Sequence, residues 1–211
     1  MDYEEELNLV IPADLPHRET VIGRSARHLK LMEEANRHFN LTRITTPRDA
    51  AIKHVLDSVL PWRHFAGAKH VLDAGTGAGF PGIPLALTLP ETRFTLVDSI
   101  GKKARFVQDV IADLEIANAE AAVVRAEEFL RHGKVDVITG RAVAPLDRAC
   151  ALFGPALRNG ARALLYKGPD AEAEIQAAAA EAKKQRVRLR VISRHELPDG
   201  LGTRTLVEIS G

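Results

Sequence analysis

Apolar residues fall into two regimes along this chain. Between residues 18 and 39, Ile22, Ala26, Leu29, Ala35 and Phe39 recur at close to helical intervals, and Ile52, Val55, Leu56 and Val59 do the same between residues 47 and 60. From residue 69 onward, short β-rich runs alternate with helical segments. The pattern predicts strands at 70–74, 94–98, 121–124, 135–139 and 161–166, and helices at 81–89, 102–114, 146–157 and 170–185. Two further runs, 187–193 and 204–209, read as terminal strands. Their connection, Leu197 to Thr203, is too short for a crossover helix, so they are expected to pair antiparallel. Alternation of this kind specifies an α/β fold: a mostly parallel, doubly wound sheet with an antiparallel C-terminal strand. The expected division is a helical extension over residues 1–66 and a sheet-containing core over 67–211.

The first strand runs into Val71-Leu72-Asp73-Ala74-Gly75-Thr76-Gly77-Ala78-Gly79-Phe80-Pro81-Gly82. Within it, residues 77–82 match G-x-G-x-x-G between a strand and a helix, a pattern in which backbone N–H groups at a helix start approach a ligand. Asp98 ends the next strand about 20 residues on, where a carboxylate accepts hydrogen bonds from an adenosine ribose. Asp73 bears on the rest of that ligand. A pyrophosphate on these amides would face a like charge, whereas the ammonium of S-adenosylmethionine is complementary to a carboxylate. The alternative role for Asp73 is a cap on the glycine turn.

Composition narrows the class further. A chain of 211 residues with 45% hydrophobic content is long enough for a full core. Its acidic N-terminus lacks the basic and apolar regions of a signal peptide, and no apolar run reaches the roughly 18 residues of a spanning helix. The single cysteine, Cys150, sits in an apolar helical run and reads as a core thiol. These features point to the cytoplasm. The net charge of +1 is unevenly spread: residues 1–16 carry five acids and no Lys or Arg, while residues 17–70 carry ten Lys or Arg against five acids. The segment 183–194 adds Lys183, Lys184, Arg186, Arg188, Arg190 and Arg194 without an acid. Such clusters suit a polyanion, or serve as solvated faces; Arg188 and Arg190 alternate with Val187, Leu189 and Val191 as the polar side of a strand.

Several motifs in register carry a family likeness. DAGTGAGFPGIPLAL followed by TLVDSIGKKARFV resembles the bacterial small-subunit rRNA guanine-N7 methyltransferases, the glucose-inhibited-division protein B group. NRHFNLTRI and IKHVLDSV resemble that family's N-terminal helical signatures, and VRAEEF, DVITGRAVAPL and LLYKG its later motifs. Ala35 precedes Asn36 where the family often has Trp. The resemblance implies a Rossmann-like class I methyltransferase fold, S-adenosylmethionine as cofactor and 16S rRNA or the small ribosomal subunit as partner, with the protein a monomer. It also implies that Gly75, Gly77, Gly79 and Phe80 line the methionine and nucleoside, that Asp98 holds the ribose, that Ala126 and Glu127 flank the adenine, and that Arg141 closes the site.

Three cations, Lys102, Arg141 and Lys167, follow or end strands at one edge of the sheet and could hold RNA phosphate or the target base; the other reading is solvated surface charge. His54 and Asp57 either orient the extension or form a helix-surface pair. Guanine N7 has a free lone pair and no proton, so methyl transfer to it requires alignment and no general base. The sequence holds no CxxC, HExxH or Gly-x-Ser-x-Gly, which gives metal or acyl-enzyme chemistry no support. Two other readings compete: an NAD-dependent Rossmann oxidoreductase, and a non-catalytic RNA-binding ribosome-assembly factor.

Overall fold

The structure is a computed structural model and describes residues 2–44 and 46–211. Among the described residues four helical stretches precede the sheet: α1 (Tyr3–Val10), α2 (Arg18–Asn36), a continuous run made of α3 (Pro47–Ala50), a π-helical segment (Ala51–Leu56) and α4 (Asp57–Val59), and a short 3-10 turn (Trp62–His64). The core then alternates β1 (His70–Ala74), α5 (Gly82–Thr88), β2 (Arg93–Asp98), α6 (Gly101–Asp113), β3 (Ala119–Val123) and α7 (Ala126–His132). It continues with β4 (Val137–Arg141), α8 (Leu146–Arg158), β5 (Arg162–Lys167), α9 (Ala171–Gln185), β6 (Arg188–Glu196) and β7 (Thr203–Ser210).

The seven strands lie in the order β3-β2-β1-β4-β5-β7-β6. The first five are parallel, and β7 runs antiparallel to both β5 and β6, as the short 197–203 connection requires. Chain order reverses between β1 and β4, and β1 and β4 are hydrogen-bonded neighbours. Ligands in open α/β sheets bind beyond the carboxyl ends of the strands at that point.

Strand periodicity sorts the core onto two faces. Val71, Phe94, Leu96, Val137, Leu164, Tyr166 and Leu206 point to one face, where they join Leu7, Ile22, Leu29, Val55, Val59 and Ile83 in one apolar cluster. Leu72, Ala74, Val97, Ile138, Ala163, Leu165, Val207 and Ile209 point to the other, against α8 and α9. The N-terminal helices therefore share the core of the first face. Cys150 is fully buried on the second face, and burial pushes its thiol up to about 11, which keeps it protonated and inert.

Three local features depart from the sequence pattern. Helix α2 stops at Asn36 and not at Phe39, because the Asn36 amide bonds the following loop: Oδ1 accepts from the Leu41 and Thr42 N–H groups (2.7 and 3.0 Å) and Nδ2 donates to the Thr42 carbonyl (3.1 Å). Helices α1 and α7 were not evident in the pattern; each is only seven or eight residues long, and α7 has no fully buried residue to mark a periodicity. Strand β6 extends to Glu196 through an irregularity between Val191 and Ser193.

The approach of α5 to the sheet depends on Gly82. A Cβ there would stand 2.6 Å from Asp73 Oδ2 and 2.6 Å from Leu96 Cδ2. Gly82→Ala is expected to destabilise the protein by about 1–3 kcal/mol, the scale of overpacking in a close-packed core, measured as a lowered denaturant midpoint at unchanged slope.

Candidate active site

Gly75 and Gly77 take left-handed backbone conformations (φ 66° and 62°) that carry the chain off β1 and around to α5. Asp73 anchors the turn from beneath. It is fully buried, and its Oδ2 accepts hydrogen bonds from the Thr76 hydroxyl (2.6 Å) and the Gly82 N–H (2.9 Å). Its Oδ1 is buried with no protein partner. Burial raises the Asp73 pKa to about 6, an effect its two hydrogen bonds oppose. The turn-capping role is thus present in the geometry, and one oxygen of the carboxylate is left over.

Asp98 closes the loop from β2. Its Oδ2 accepts from the Gly77 N–H (3.0 Å) and its Oδ1 from the Ile100 N–H (2.8 Å), which leaves further lone pairs for hydroxyl donors. Beside it lies a cavity of about 200 Å³ lined by Gly75, Asp98, Ser99, Ala126, Glu127 and Val143, among others. The sequence-derived residues Gly75, Asp98, Ala126 and Glu127 therefore meet in one place. Space above Gly75 is open, since a Cβ there would meet only Val143 Cγ2 at 3.9 Å. Gly79 is different: its missing Cβ faces Ile83 Cδ1 (2.6 Å) and His28 Cε1 (3.1 Å), so it serves packing of the extension.

Phe80 also turns away from this cavity. It is 5% exposed, and both His28 and His54 stack on its ring, with centroids 4.5 and 4.7 Å away. His28 Nε2–H donates to the Ala78 carbonyl (2.8 Å), which fixes the tautomer and holds the glycine loop against α2. His54 Nε2 bonds the Thr42 hydroxyl (3.1 Å). Burial drives His28 to about pKa 4 and His54 to about 3, the latter also through the Arg141 charge. Both imidazoles are neutral at physiological pH. His28 gave no sign in the sequence beyond its place on the apolar side of α2.

A second cavity, about 450 Å³, opens across the β4–α8 turn. Lys53, His54, Arg141, Ala142, Lys167, Glu174 and Arg204 contribute to its wall. Ala142 lines this cavity, Val143 the first, and Ala142 has a positive φ of 52° for a residue with a side chain. Consecutive residues of the β4–α8 turn, Ala142 and Val143, thus contribute one to each cavity. Arg141 does not project freely: its Nη1 donates to the Lys53 carbonyl and to Asp57 Oδ2 (3.0 Å), and its guanidinium carbon lies 5.5 Å from the Phe80 ring centre. Asp57 is fully buried and its Oδ1 accepts from Arg204 Nε (2.7 Å). Asp57 and His54 are therefore interior groups tying the extension to the sheet, and the surface-pair reading of them is excluded.

Lys167 Nζ donates to the Ala144 carbonyl (2.8 Å) and to Glu174 Oε2 (2.7 Å), with only 10% of its side chain exposed. Lys102 separates from the other two cations. It is exposed, lies 5.4 Å from the Phe39 ring centre and lines neither cavity. Sheet order explains the gap: β2 and β5 stand three strand spacings apart, about 14 Å. The 183–194 cluster divides as well. Arg188 pairs with Ser210, which is level with Arg162 at the opposite end of the sheet from Lys167, and Arg190 Nε donates to Glu208 (2.8 Å). Among the described residues no group of three or more His, Cys, Asp or Glu is placed to hold a metal ion, and no helix is long and apolar enough to cross a membrane.

The neutral histidines make folding sensitive to acid. Each has a folded pKa below its unfolded value of about 6.5, so the unfolded chain binds the extra protons and stability falls as pH drops from about 6.5 toward 4. At roughly 1.4 kcal/mol per pKa unit, His28 alone accounts for about 3 kcal/mol by pH 4. Asp73 acts in the opposite sense, favouring the fold as pH falls from about 6 to 4. His28→Gln, whose amide can still donate to Ala78, is expected to flatten the decline in unfolding free energy between pH 6.5 and 4; an unaltered slope would contradict burial of a neutral His28.

The fold and the sequence agree with known proteins. Solved structures that share the fold include the O-methyltransferase TomG from Streptomyces achromogenes in complex with S-adenosylmethionine (TM-score 0.58, 19% identity, 87% of this chain and 90% of that one). Another is a precorrin-6y C5,15-methyltransferase from Geobacter metallireducens (TM-score 0.56, 11% identity, 72% and 86%). Closer in sequence is a ribosomal RNA small subunit methyltransferase G from Solibacter usitatus, 64% identical over 209 residues and covering 99% of this chain and 100% of the relative. A protein of the same name from Deinococcus radiodurans is 38% identical over 198 residues, covering 91% and 77%. Residues 23–199 match the family model for rRNA small subunit methyltransferase G. With both cavities at the carboxyl ends of the strands and the match spanning extension and core alike, the chain belongs to the rRNA small subunit methyltransferase G family.

Proposed function

We propose that this protein transfers the methyl group of S-adenosylmethionine to N7 of a guanine in small-subunit ribosomal RNA, 16S rRNA in bacteria. The observation that carries this reading is the pair of cavities to which the β4–α8 turn contributes, one with a carboxylate and open glycine backbone, the other with a wall in which cations predominate. The cofactor supplies an electrophilic methyl group on a sulfonium. Asp98 offers its remaining lone pairs to the ribose hydroxyls, Ala126 and Glu127 flank the adenine, and Gly75 leaves the backbone bare for close approach. Asp73 Oδ1, buried without a partner, suits an ammonium held directly or through one water.

Two titratable groups in the wall of the second cavity, His54 and Tyr166, are unsuited to proton abstraction near neutrality. His54 is held at about pKa 3, and burial together with the Asp57 charge pushes the Tyr166 hydroxyl well above its ordinary value. Neither side chain takes up a proton from a substrate at pH 7. Guanine N7 needs no such step, so the residues act by positioning: Arg141 is fixed by Asp57 and Lys167 by Ala144 and Glu174, and neither must reorganise when the base enters. This supports the transferase reading over the two alternatives. A non-catalytic assembly factor has no need of two cavities at the strand ends, and an oxidoreductase would place a pyrophosphate above the buried Asp73 carboxylate.

Asp98→Ala is expected to weaken S-adenosylmethionine binding by roughly 1.5–3 kcal/mol, the worth of hydrogen bonds to a charged acceptor, with part of the loss arising from the released Gly77 N–H. Isothermal calorimetry measures it, and an affinity equal to wild type in a folded variant would remove Asp98 from the site. Single-turnover methyl transfer at saturating RNA and cofactor is expected to stay nearly flat from pH 7 to 9. A tenfold rise per pH unit would mean that a proton is lost in the transition state and that the target atom is not N7. Digestion of the product to nucleosides and mass spectrometry should return 7-methylguanosine.

A further inference from the structure

We propose that Glu174, acting beside Lys167, is the residue that selects guanine in the second cavity; this inference rests on the guanine-N7 reading above. The rim of guanine presents, in order from the reacting atom, N7, the O6 acceptor, the N1–H donor and the N2–H donor. The wall of the cavity presents the complementary order. The β4–α8 turn, which contributes Ala142 to this cavity and Val143 to the first, comes first. Next comes Lys167, whose ammonium is attached to that turn through the Ala144 carbonyl (2.8 Å). Glu174, on the first turn of α9, follows at 2.7 Å from Lys167 Nζ.

The donor and acceptor inventory of this pair leaves what a guanine requires. Two of the three Lys167 N–H groups are engaged, by Ala144 and Glu174, so one remains for O6. Glu174 uses Oε2 for Lys167, and among the described residues no donor bonds its Oε1, so the carboxylate can accept from N1–H and N2–H together. Adenine is rejected by the same geometry, because its N6 amino group would meet the ammonium and its N1 lone pair the carboxylate. The ion pair is neutral overall, so it can line a base pocket without a net charge. As the methyl group arrives, the purine becomes cationic and its N1–H more acidic. Hydrogen bonds to a carboxylate on that edge therefore strengthen toward the transition state, and Glu174 raises the rate as well as the selectivity. Reading an exposed base by its Watson–Crick edge is the general solution for enzymes that modify single bases.

The test uses the full-length protein and small ribosomal subunits from cells lacking this methyltransferase, with the methylated position first mapped using wild type. Subunits are then reconstituted with rRNA carrying guanosine or inosine at that position; inosine keeps N7, O6 and N1–H and lacks only the N2 amino group. Wild type is expected to methylate the guanosine form about 5- to 150-fold faster than the inosine form, the range of a bidentate base contact. Glu174→Ala should bring that ratio close to 1 by lowering the guanosine rate, while S-adenosylmethionine affinity stays within about twofold of wild type. Glu174→Gln, which keeps the shape and one acceptor, should give an intermediate ratio, and it carries the test if the alanine variant does not fold. A guanosine-to-inosine ratio unchanged from wild type in either folded variant overturns the assignment, as does a wild-type ratio near 1. A wild-type product other than 7-methylguanosine overturns the parent reading, and this one with it.

Discussion

The Asp57 carboxylate is fully buried between two arginines far apart in sequence, Arg141 at the end of β4 and Arg204 at the start of β7. A charge in that position is tolerated only when its partners are in place: loss of one side of such a pair costs on the order of 3–5 kcal/mol through the stranded charge. The constraint acts on more than stability. Asp57 belongs to the N-terminal extension, so its two ion pairs set where that extension sits over the carboxyl ends of the strands. The position of the extension in turn fixes His54 and Lys53 in the wall of the cavity. One carboxylate between two guanidiniums leaves a net positive charge at the mouth, which suits a phosphate-bearing substrate.

A second, uncharged connection joins the same partners. Phe80 leaves the glycine loop and stacks with His28 of α2 and His54 of the π-helical segment, while His28 also holds the Ala78 carbonyl. Both imidazoles are kept neutral by burial, so they fill space and satisfy the loop without adding charge beside Arg141. The glycine loop is therefore braced by the part of the chain that shapes the second cavity. Catalysis that relies on alignment requires such bracing, because errors of an ångström between the methyl group and its acceptor cost far more than the loss of any one contact.

The candidate site divides its electrostatics accordingly. The first cavity sets the Asp98 and Glu127 carboxylates beside the bare Gly75 backbone, with Arg125 and Arg148 also in its wall. In the second cavity cations predominate and Glu174 is the exception, held in place by Lys167. The family to which the chain belongs, the neutral histidine and the high-pKa tyrosine all fit a methyl acceptor that requires no proton removal.

The sequence by itself determined the sheet, most of its helices, the antiparallel C-terminal strand, and the nearness of the glycine loop to Asp98. Those depend on local signals: strand and helix periods are visible within ten residues, and the glycines, Asp73 and Asp98 lie within 26 positions of one another on consecutive strands. The tertiary structure alone decided the rest of the site. Asp57, Arg141 and Arg204 are separated by 84 and 147 residues from one another's partners, so no local pattern could show that they share one carboxylate. Likewise Lys102, Arg141 and Lys167 are equivalent in sequence as cations at strand ends, and only strand order separates the first from the others. Arg188 and Arg190 read as part of a basic cluster until the antiparallel register carries them to the far end of the sheet. Phe80 and Gly79 lie in the cofactor motif, yet their contacts are with His28 and His54, because the extension folds back over the loop and takes up that side of it.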